Sequence, residues 1–439
     1  MKCGFYEKEI TPPLGGCMPG YFSERLAEDV ILPLYAKALA IEAAGSCVLM
    51  VAMDGLFVDK YVYDIAVKRI TERTGIPADR IMINATHAHT GGPVKSLNDP
   101  PFYKADPEYL NVLARSVADC GILAWQRLAP ATAKFAQTDV YGISFIRNFR
   151  MKDGSIRTNP GRLNPEIVEP LGQIDPAFPV LFFFDEAENP IGMLSNFALH
   201  HDSVGGTKYC SDYSGVMGRE MKKTFGMDFV SVFINGACGN INHVNVEEVP
   251  HEKRDYYLKN GLRLAEEAKR LYGQAEAFPI DTVDGKLEHI AIPRHQVPAE
   301  EVEEVKHLIA TIPMEGLEIN INNVDSPEYK RAKADRLLRF INMPDELPVP
   351  VQALRIGGAI LFSASGEIFT EYGKYMKAHS PLPVNMVAEL ANGGPSCYIP
   401  TPQAFHPTVY ESRIPSSMLI PEAGATIAEL AVKLAKELV

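Results

Sequence analysis

Positive charge is in deficit. In 439 residues, 43 Lys and Arg face 55 Asp and Glu, leaving a net charge of −12 at neutral pH. A chain with that balance lacks the basic surface that nonspecific nucleic-acid binding needs. Long apolar runs are also missing. The longest, such as Val180–Phe184 and Cys47–Met53, are strand length and far short of the roughly 20 residues that span a bilayer. The amino terminus, Met1-Lys2-Cys3-Gly4-Phe5-Tyr6-Glu7, has one cation but none of the apolar stretch of a signal peptide. The seven cysteines (3, 17, 47, 120, 210, 238 and 397) are odd in number and dispersed, without a C-x-x-C pair. That usage suits reduced thiols rather than a disulfide framework or a zinc knuckle. These absences lead us to expect a cytoplasmic protein with a small-molecule partner, no nucleic acid and no membrane span; homo-oligomerisation stays open.

Several familiar catalytic templates are absent as well: H-E-x-x-H, the G-x-S-x-G elbow, the Walker A loop and G-x-G-x-x-G after a strand. What is present is a globular composition, 46% hydrophobic and 22% charged, arranged as apolar β-rich runs alternating with amphipathic stretches. The pattern predicts an α/β fold of mixed sheets with flanking helices. Strands are expected at 34–43, 46–53, 80–85, 179–184, 191–199, 229–235, 285–292, 350–356, 358–363 and 385–390. Helices are expected at 58–74, 107–128, 213–224, 253–272, 299–311, 327–341, 367–378 and 421–438. Proline at 107 and 421 supports two of these starts. The charged stretch 294–346, with two helices and a loop at 320–327, lies between strand runs. We read it as an insertion in a single catalytic domain over 1–439, either a solvated helical hairpin or a lid.

Polar clusters gather where apolar runs end. Ile81–Ala85 leads into Thr86-His87-Ala88-His89-Thr90-Gly91-Gly92-Pro93. At a strand period of two, His87 and His89 would face one side. Gly192–Leu199 leads into His200-His201-Asp202-Ser203 and then Ser211-Asp212-Tyr213-Ser214-Gly215. Adjacent histidines on a strand point to opposite faces, so one of the pair would serve the site and the other would pack. Asp212 reads either as a ligand contact or as a helix N-cap. Phe229–Asn235 leads into Gly236-Ala237-Cys238-Gly239-Asn240-Ile241-Asn242-His243, where glycines allow close backbone approach and N–H groups can line an oxyanion hole. Cys238 reads as a nucleophile or as a buried thiol. Ala359–Ala364 leads into Ser365-Gly366-Glu367, and Glu389–Pro395 leads into Ser396-Cys397-Tyr398. Glu367 reads as a dipole partner of a helix start or as a ligand. Strand ends presenting His, His, Asn and Glu fit a crevice at the carboxyl edge of a sheet. Two imidazoles and a carboxylate with one open position form a catalytic zinc set.

At these residues the sequence resembles the neutral/alkaline (non-lysosomal) ceramidase family in its catalytic amidohydrolase domain. Thr86–Pro93 is similar to the family's T-H-T-H-S-G-P. Asn196–Ser203 is similar to W-F-A-x-H-P-x-S, and Ser211–Gly215 to S-D-N-x-G. Ser365-Gly366-Glu367 stands for P-G-E, Tyr398-Ile399-Pro400-Thr401 for Y-I-T-T, and Glu9-Ile10-Thr11-Pro12-Pro13 for D-I-T-G-P. The ordered set runs from about residue 4 to 425. The resemblance implies that His87, His200, Glu367 and Tyr398 ligate Zn2+ and that His89 lies beside water or substrate. It further implies that Arg147, Asp212, Gly239 and Asn240 border the substrate. Where the family has G-D-V-S-P-N with a serine nucleophile, this chain has Gly239-Asn240-Ile241-Asn242-His243.

An amide at Asn242 cannot form an acyl-enzyme. The expected nucleophile is therefore metal-activated water, with Asn242 orienting it or stabilising an oxyanion. The expected activity is a zinc-dependent hydrolase cleaving an N-acyl bond on a substrate smaller and more polar than ceramide. A zinc esterase or lactonase, and a metal-holding binding protein without turnover, are the alternatives.

Overall fold

The computed structural model describes residues 1–21, 24–95, 103–249, 255–313 and 325–439. Three mixed sheets form the framework. The first has the order Ile81–Ala85, Ser46–Met53, Tyr35–Ala43, Lys2–Glu9, Ala129–Pro130. The second runs Val230–Asn235, Pro190–Phe197, Ala177–Phe184, Thr132–Asp139, Glu276–Ala277. The third runs Val283–Pro293, Glu346–Ile356, Ala359–Ala364, Val384–Ala388.

Each sheet is antiparallel except for one pair. Ser46–Met53 lies parallel to Ile81–Ala85, Pro190–Phe197 to Val230–Asn235, and Ala359–Ala364 to Val384–Ala388. The carboxyl ends of these three pairs carry the polar clusters.

The alternation of side chains explains why the strands are apolar on both faces. On Tyr35–Ala43, Ala36, Ala38 and Ala40 turn towards helices Lys60–Thr74 and Pro107–Gln126, while Leu39 and Ile41 turn inward. Inward residues of all three sheets share one core, including Met50 and Met82 from the first, Leu181, Leu194 and Val232 from the second, and Leu354, Leu361 and Met386 from the third. Each sheet is backed on its other face by helices. Asp212–Phe225 and Tyr256–Tyr272 cover the second, and Pro327–Ile341, Thr370–Ala378 and Ala423–Lys436 cover the third.

Local signals set the helix ends. Asp59 caps Lys60–Thr74 by accepting from the Tyr61 N–H, and Gly75 ends it at φ 74°. Asp106 with Pro107 and Ser326 with Pro327 open two more.

Helices Ala299–Thr311 and Pro327–Ile341 fall within the expected insertion, between the paired strands Val283–Pro293 and Glu346–Ile356. Pro327–Ile341 buries Leu337 and Phe340 in the third sheet's outer core, whereas Ala299–Thr311 buries only Val305. The expected loop at 320–327 lies outside the described residues as far as 324, as do residues 253–254 of the expected helix 253–272. One boundary differs from expectation in a way that matters. Glu367 opens no helix: Glu367–Ile368 pairs in parallel with Tyr398–Ile399, and the helix starts at Thr370. A two-residue strand carries too little periodicity to be visible in sequence.

Buried amides tie the sheets together where the parallel pairs end. Asn392, at φ 59°, accepts from the Ile83 N–H and donates to Gln352 Oε1, joining the first sheet to the third. Asn196 donates to the carbonyls of Ile234 and Val387 and accepts from the Val387 N–H, joining the second to the third. Replacing Asn392 with Ala leaves two buried groups without partners and puts a Cβ-bearing residue with no polar side chain at positive φ. Asn392→Ala should lower unfolding free energy by about 2–4 kcal/mol, read from denaturant midpoints at constant m-value.

Candidate functional site

The chain leaves Ile81–Ala85 by a turn in which His87 adopts φ 71°, a left-handed conformation that costs energy for a residue with a Cβ. This corrects the expected mechanism of convergence. His87 and His89 converge, with Nε2 atoms 3.2 Å apart, because the strand has ended and the backbone reverses, not because of the pleat. Close packing fixes the turn: a Cβ on Gly91 would lie 2.9 Å from the Ala88 carbonyl oxygen and from the Gly55 Cα.

His200 approaches from the second sheet. Its Nε2 lies 3.0 Å from that of His87 and its Nδ1 lies 3.2 Å from the Cys238 carbonyl oxygen. The Nδ1 of His87 lies 2.8 Å from the Leu56 carbonyl oxygen. A carbonyl oxygen only accepts, so both Nδ1 atoms carry hydrogen, and in the neutral rings both Nε2 atoms present lone pairs. Two lone pairs facing at 3.0 Å repel unless a cation lies between them.

Glu367 enters from the third sheet, held by its N–H donating to the Cys397 carbonyl. Its Oε2 lies 3.3 Å from His87 Nε2 and 3.4 Å from His200 Nε2 and takes no hydrogen bond. Three imidazoles, His87, His89 and His200, thus form a buried group able to hold a metal ion, with a carboxylate oxygen beside them. This donor set suits a metal, and its N/O character suits zinc. Burial lowers the basicity of His89 and His200, keeping them in the neutral form that ligation requires.

Tyr398 hydrogen-bonds to Glu367. The Arg147 guanidinium lies 5.1 Å from the Tyr398 ring centroid. Arg147 is buried and donates from Nε to Glu411 Oε1 at 2.6 Å and from Nη2 to the Gly239 carbonyl at 2.7 Å, leaving Nη1 3.5 Å from His200 Nε2. Glu411, fully buried, also accepts from Asn148 and Thr158.

His201 turns away and stacks on Tyr213 at 3.9 Å; it packs. The Cys238 thiol, pushed well up by burial, donates to Glu389 Oε1 at 2.8 Å. Glu389 is itself buried, accepts from Asn235 Nδ2 and the Cys238 N–H, and is pushed up to about 7 chiefly by burial.

A cavity of about 360 Å3 opens beside His200, lined by Arg147, His200 and Asn242 among others. Asn242 lies in its wall, where its amide donates to Asn159 Oδ1 and its oxygen accepts from the Val244 N–H. Asp212, Gly239 and Asn240 do not line it. Asp212 accepts from the Ser203 N–H and hydroxyl and from the Tyr213 N–H in the first turn of its own helix, and it does not line the cavity. Asn240 binds Thr370 and Glu371, and Gly239 offers its carbonyl to Arg147.

No family model matches the sequence, and no curated protein matches it. Among solved structures, the neutral ceramidase of Pseudomonas aeruginosa superposes with a TM-score of 0.76 at 22% identity, covering 99% of this chain and 74% of that one. A ceramidase complexed with C2 gives 0.74 at 19% identity, with the same coverage of both chains. The chain has the neutral ceramidase fold. The sequence motifs that resemble the ceramidase family therefore sit on the same framework.

Glu389 and Glu411 were not assigned from sequence. Glu389 stands in a polar strand end with no spacing to distinguish it, and Glu411 meets Arg147 across 264 residues. Because breaking a buried ion pair strands a charge, Glu411→Ala should destabilise the fold by about 3–5 kcal/mol in equilibrium unfolding. Asp212, pushed up to about 7 by burial, holds a proton in the folded state that the unfolded chain releases near 4. Its contribution is therefore intact below about pH 4 and is lost as pH rises from about 4 to 7. Asp212→Asn should flatten the fall in denaturant midpoint between pH 4 and 8; an unaltered slope would assign that fall to other groups.

Proposed function

We propose that the protein is a zinc-dependent hydrolase that cleaves an amide (N-acyl) bond on a small, polar substrate. The observation that carries this reading is the pair of imidazole lone pairs held 3.0 Å apart beside the unbonded Oε2 of Glu367. His87, His200, Glu367 and Tyr398 are the proposed zinc ligands. Zinc bound there would supply a Lewis acid that polarises the acyl oxygen and lowers the pKa of water towards 7.

The chain's own groups supply the rest. Arg147 is a buried guanidinium raised well above its ordinary value, since Tyr398, Glu411 and Glu367 outweigh burial. Its Nη1 is placed to hold charge growing on the acyl oxygen. His89, kept neutral by burial and with its Nε2 3.2 Å from that of His87, is the group placed to take a proton from the attacking water. Leu56 and Cys238 hold His87 and His200 in the required tautomer by accepting at Nδ1. Asn242 cannot be acylated, so the reaction proceeds by direct attack of water. Its contribution is to fix Asn159 in the cavity wall.

Protein refolded in chelator and reloaded with one equivalent of Zn2+ should hydrolyse short N-acyl compounds. His200→Ala should retain less than about 1% of that activity and lose stoichiometric zinc in elemental analysis. Parallel ester and lactone panels separate the reaction types. A rate on esters with none on amides would replace the amidase assignment. Tight zinc binding with no turnover on any acyl compound would overturn hydrolysis.

A further inference from the structure

The loop Thr158–Asn164 contributes Asn159, Gly161 and Arg162 to the wall of the cavity that His200 also lines, and its backbone is unusual. Asn159, Gly161 and Leu163 have φ of 49°, 97° and 51°, so every second residue is left-handed. Leucine has no local reason to adopt that conformation, and the loop is held there by long-range bonds. The Asn159 N–H donates to the Arg147 carbonyl and the Leu163 N–H donates to the Val246 carbonyl, each at 2.7 Å. Such strain persists where surrounding structure over-determines it, which is common at ligand clamps.

The alternation turns two polar side chains, Asn159 and Arg162, to the cavity. Asn159 uses its Oδ1 to accept from Asn242, which leaves both amide hydrogens for a ligand. Arg162 is steadied by donating from Nη2 to the Tyr256 hydroxyl at 2.5 Å and from Nη1 to the Val249 carbonyl at 3.2 Å. Two of its five N–H groups are thereby used. Among the described residues it forms no ion pair with an acid.

Other polar groups of the same cavity have partners within the protein. Asp202 accepts from the Tyr21 hydroxyl, and the Ser203 hydroxyl donates to Asp212. Arg147 is neutralised by Glu411. The wall formed by this loop thus offers donors from Asn159 and Arg162 and carries one cation, while Asp202 on the same cavity is a carboxylate bonded to Tyr21.

We propose that this wall binds a carboxylate of the substrate, with the Arg162 guanidinium and the Asn159 amide as its donors, and that the substrate is an N-acyl amino acid. A planar guanidinium fork matches a planar carboxylate, and an amide nitrogen beside it adds a further donor. The inference rests on the hydrolase reading above and specifies its substrate class. In the reaction, water adds hydroxyl to the acyl carbon and the C–N bond breaks. The nitrogen takes the proton, so the products are a carboxylic acid and a free amino acid. The small cavity and polar wall favour this class over a long-chain lipid amide. The overall charge of −12 gives no general attraction for anions, so recognition falls to this local wall.

The test uses the full chain loaded with zinc and compares N-acetyl amino acids with their neutral methylamides, with N-acylsphingosine in detergent micelles as a third arm. The carboxylate members should have kcat/KM at least about tenfold above the methylamides, with the difference in KM, as expected for charge-assisted hydrogen bonds. In Arg162→Gln, KM for the carboxylate substrate should rise about 10–100-fold and the preference should collapse to within about twofold. Asn159→Gly, which keeps the positive φ, should raise KM in the same direction by a smaller factor. Equal use of charged and neutral substrates, an undiminished preference in Arg162→Gln, or a preference for N-acylsphingosine would overturn the proposal.

If zinc-loaded protein cleaves no amide, the hydrolase reading fails on its own, and calorimetric titration with N-acetyl amino acids still decides the wall. Binding weakened about tenfold or more in Arg162→Gln would uphold the carboxylate site. Identical binding by both proteins would overturn it.

Discussion

Two imidazole nitrogens held face to face are the constraint around which the rest of this molecule is arranged. His87 and His200 come from different sheets and meet at 3.0 Å with hydrogens on the far side of each ring. The carboxylate of Glu367 comes from the third sheet. With both rings neutral and no cation between them, this contact sets lone pair against lone pair beside a buried carboxylate oxygen. A framework that holds such a contact must be stiff, and its stiffness has identifiable sources.

Each of the three sheets contains a single parallel pair, and these pairs end where the turns carrying His87, His200 and Glu367 begin. Parallel strands expose all their carboxyl ends on one edge, so three such pairs packed on a common core bring three edges to one place. Asn196 and Asn392 then lock the edges with buried hydrogen bonds between sheets. Local strain at His87 and at Asn392 is supported by that locking. The energy for both comes from the apolar core behind them, where Leu39, Leu194 and Leu361 are fully or almost fully buried.

Much of this was legible in the sequence because it is written in local pattern. The apolar strand runs, the Asp106-Pro107 helix start and the H-x-H segment all report on neighbouring residues. The helices at 299–311 and 327–341 are found with the expected bounds. What escaped depends on contacts between distant segments. Strand Lys2–Glu9 reads as mixed and charged, and becomes a strand because it pairs along its length with Tyr35–Ala43. The two-residue strand at Glu367 exists through Tyr398–Ile399. Glu389 and Glu411 acquire meaning only through Cys238 and Arg147, far away in the chain. Asp212 and Asn240 stand next to functional segments, and their side chains nevertheless serve the scaffold. Adjacency in sequence indicated the right region but did not resolve which side chains face the cavity.

The central claim is that His87, His200 and Glu367 converge on a metal ion. Anomalous diffraction at the zinc edge from crystals of zinc-replete protein tests it most directly. A single peak about 2.0–2.2 Å from His87 Nε2, His200 Nε2 and a Glu367 oxygen is the predicted result. An ordered protein with no peak among these atoms, and their lone pairs satisfied by water or by each other's hydrogens, would contradict it.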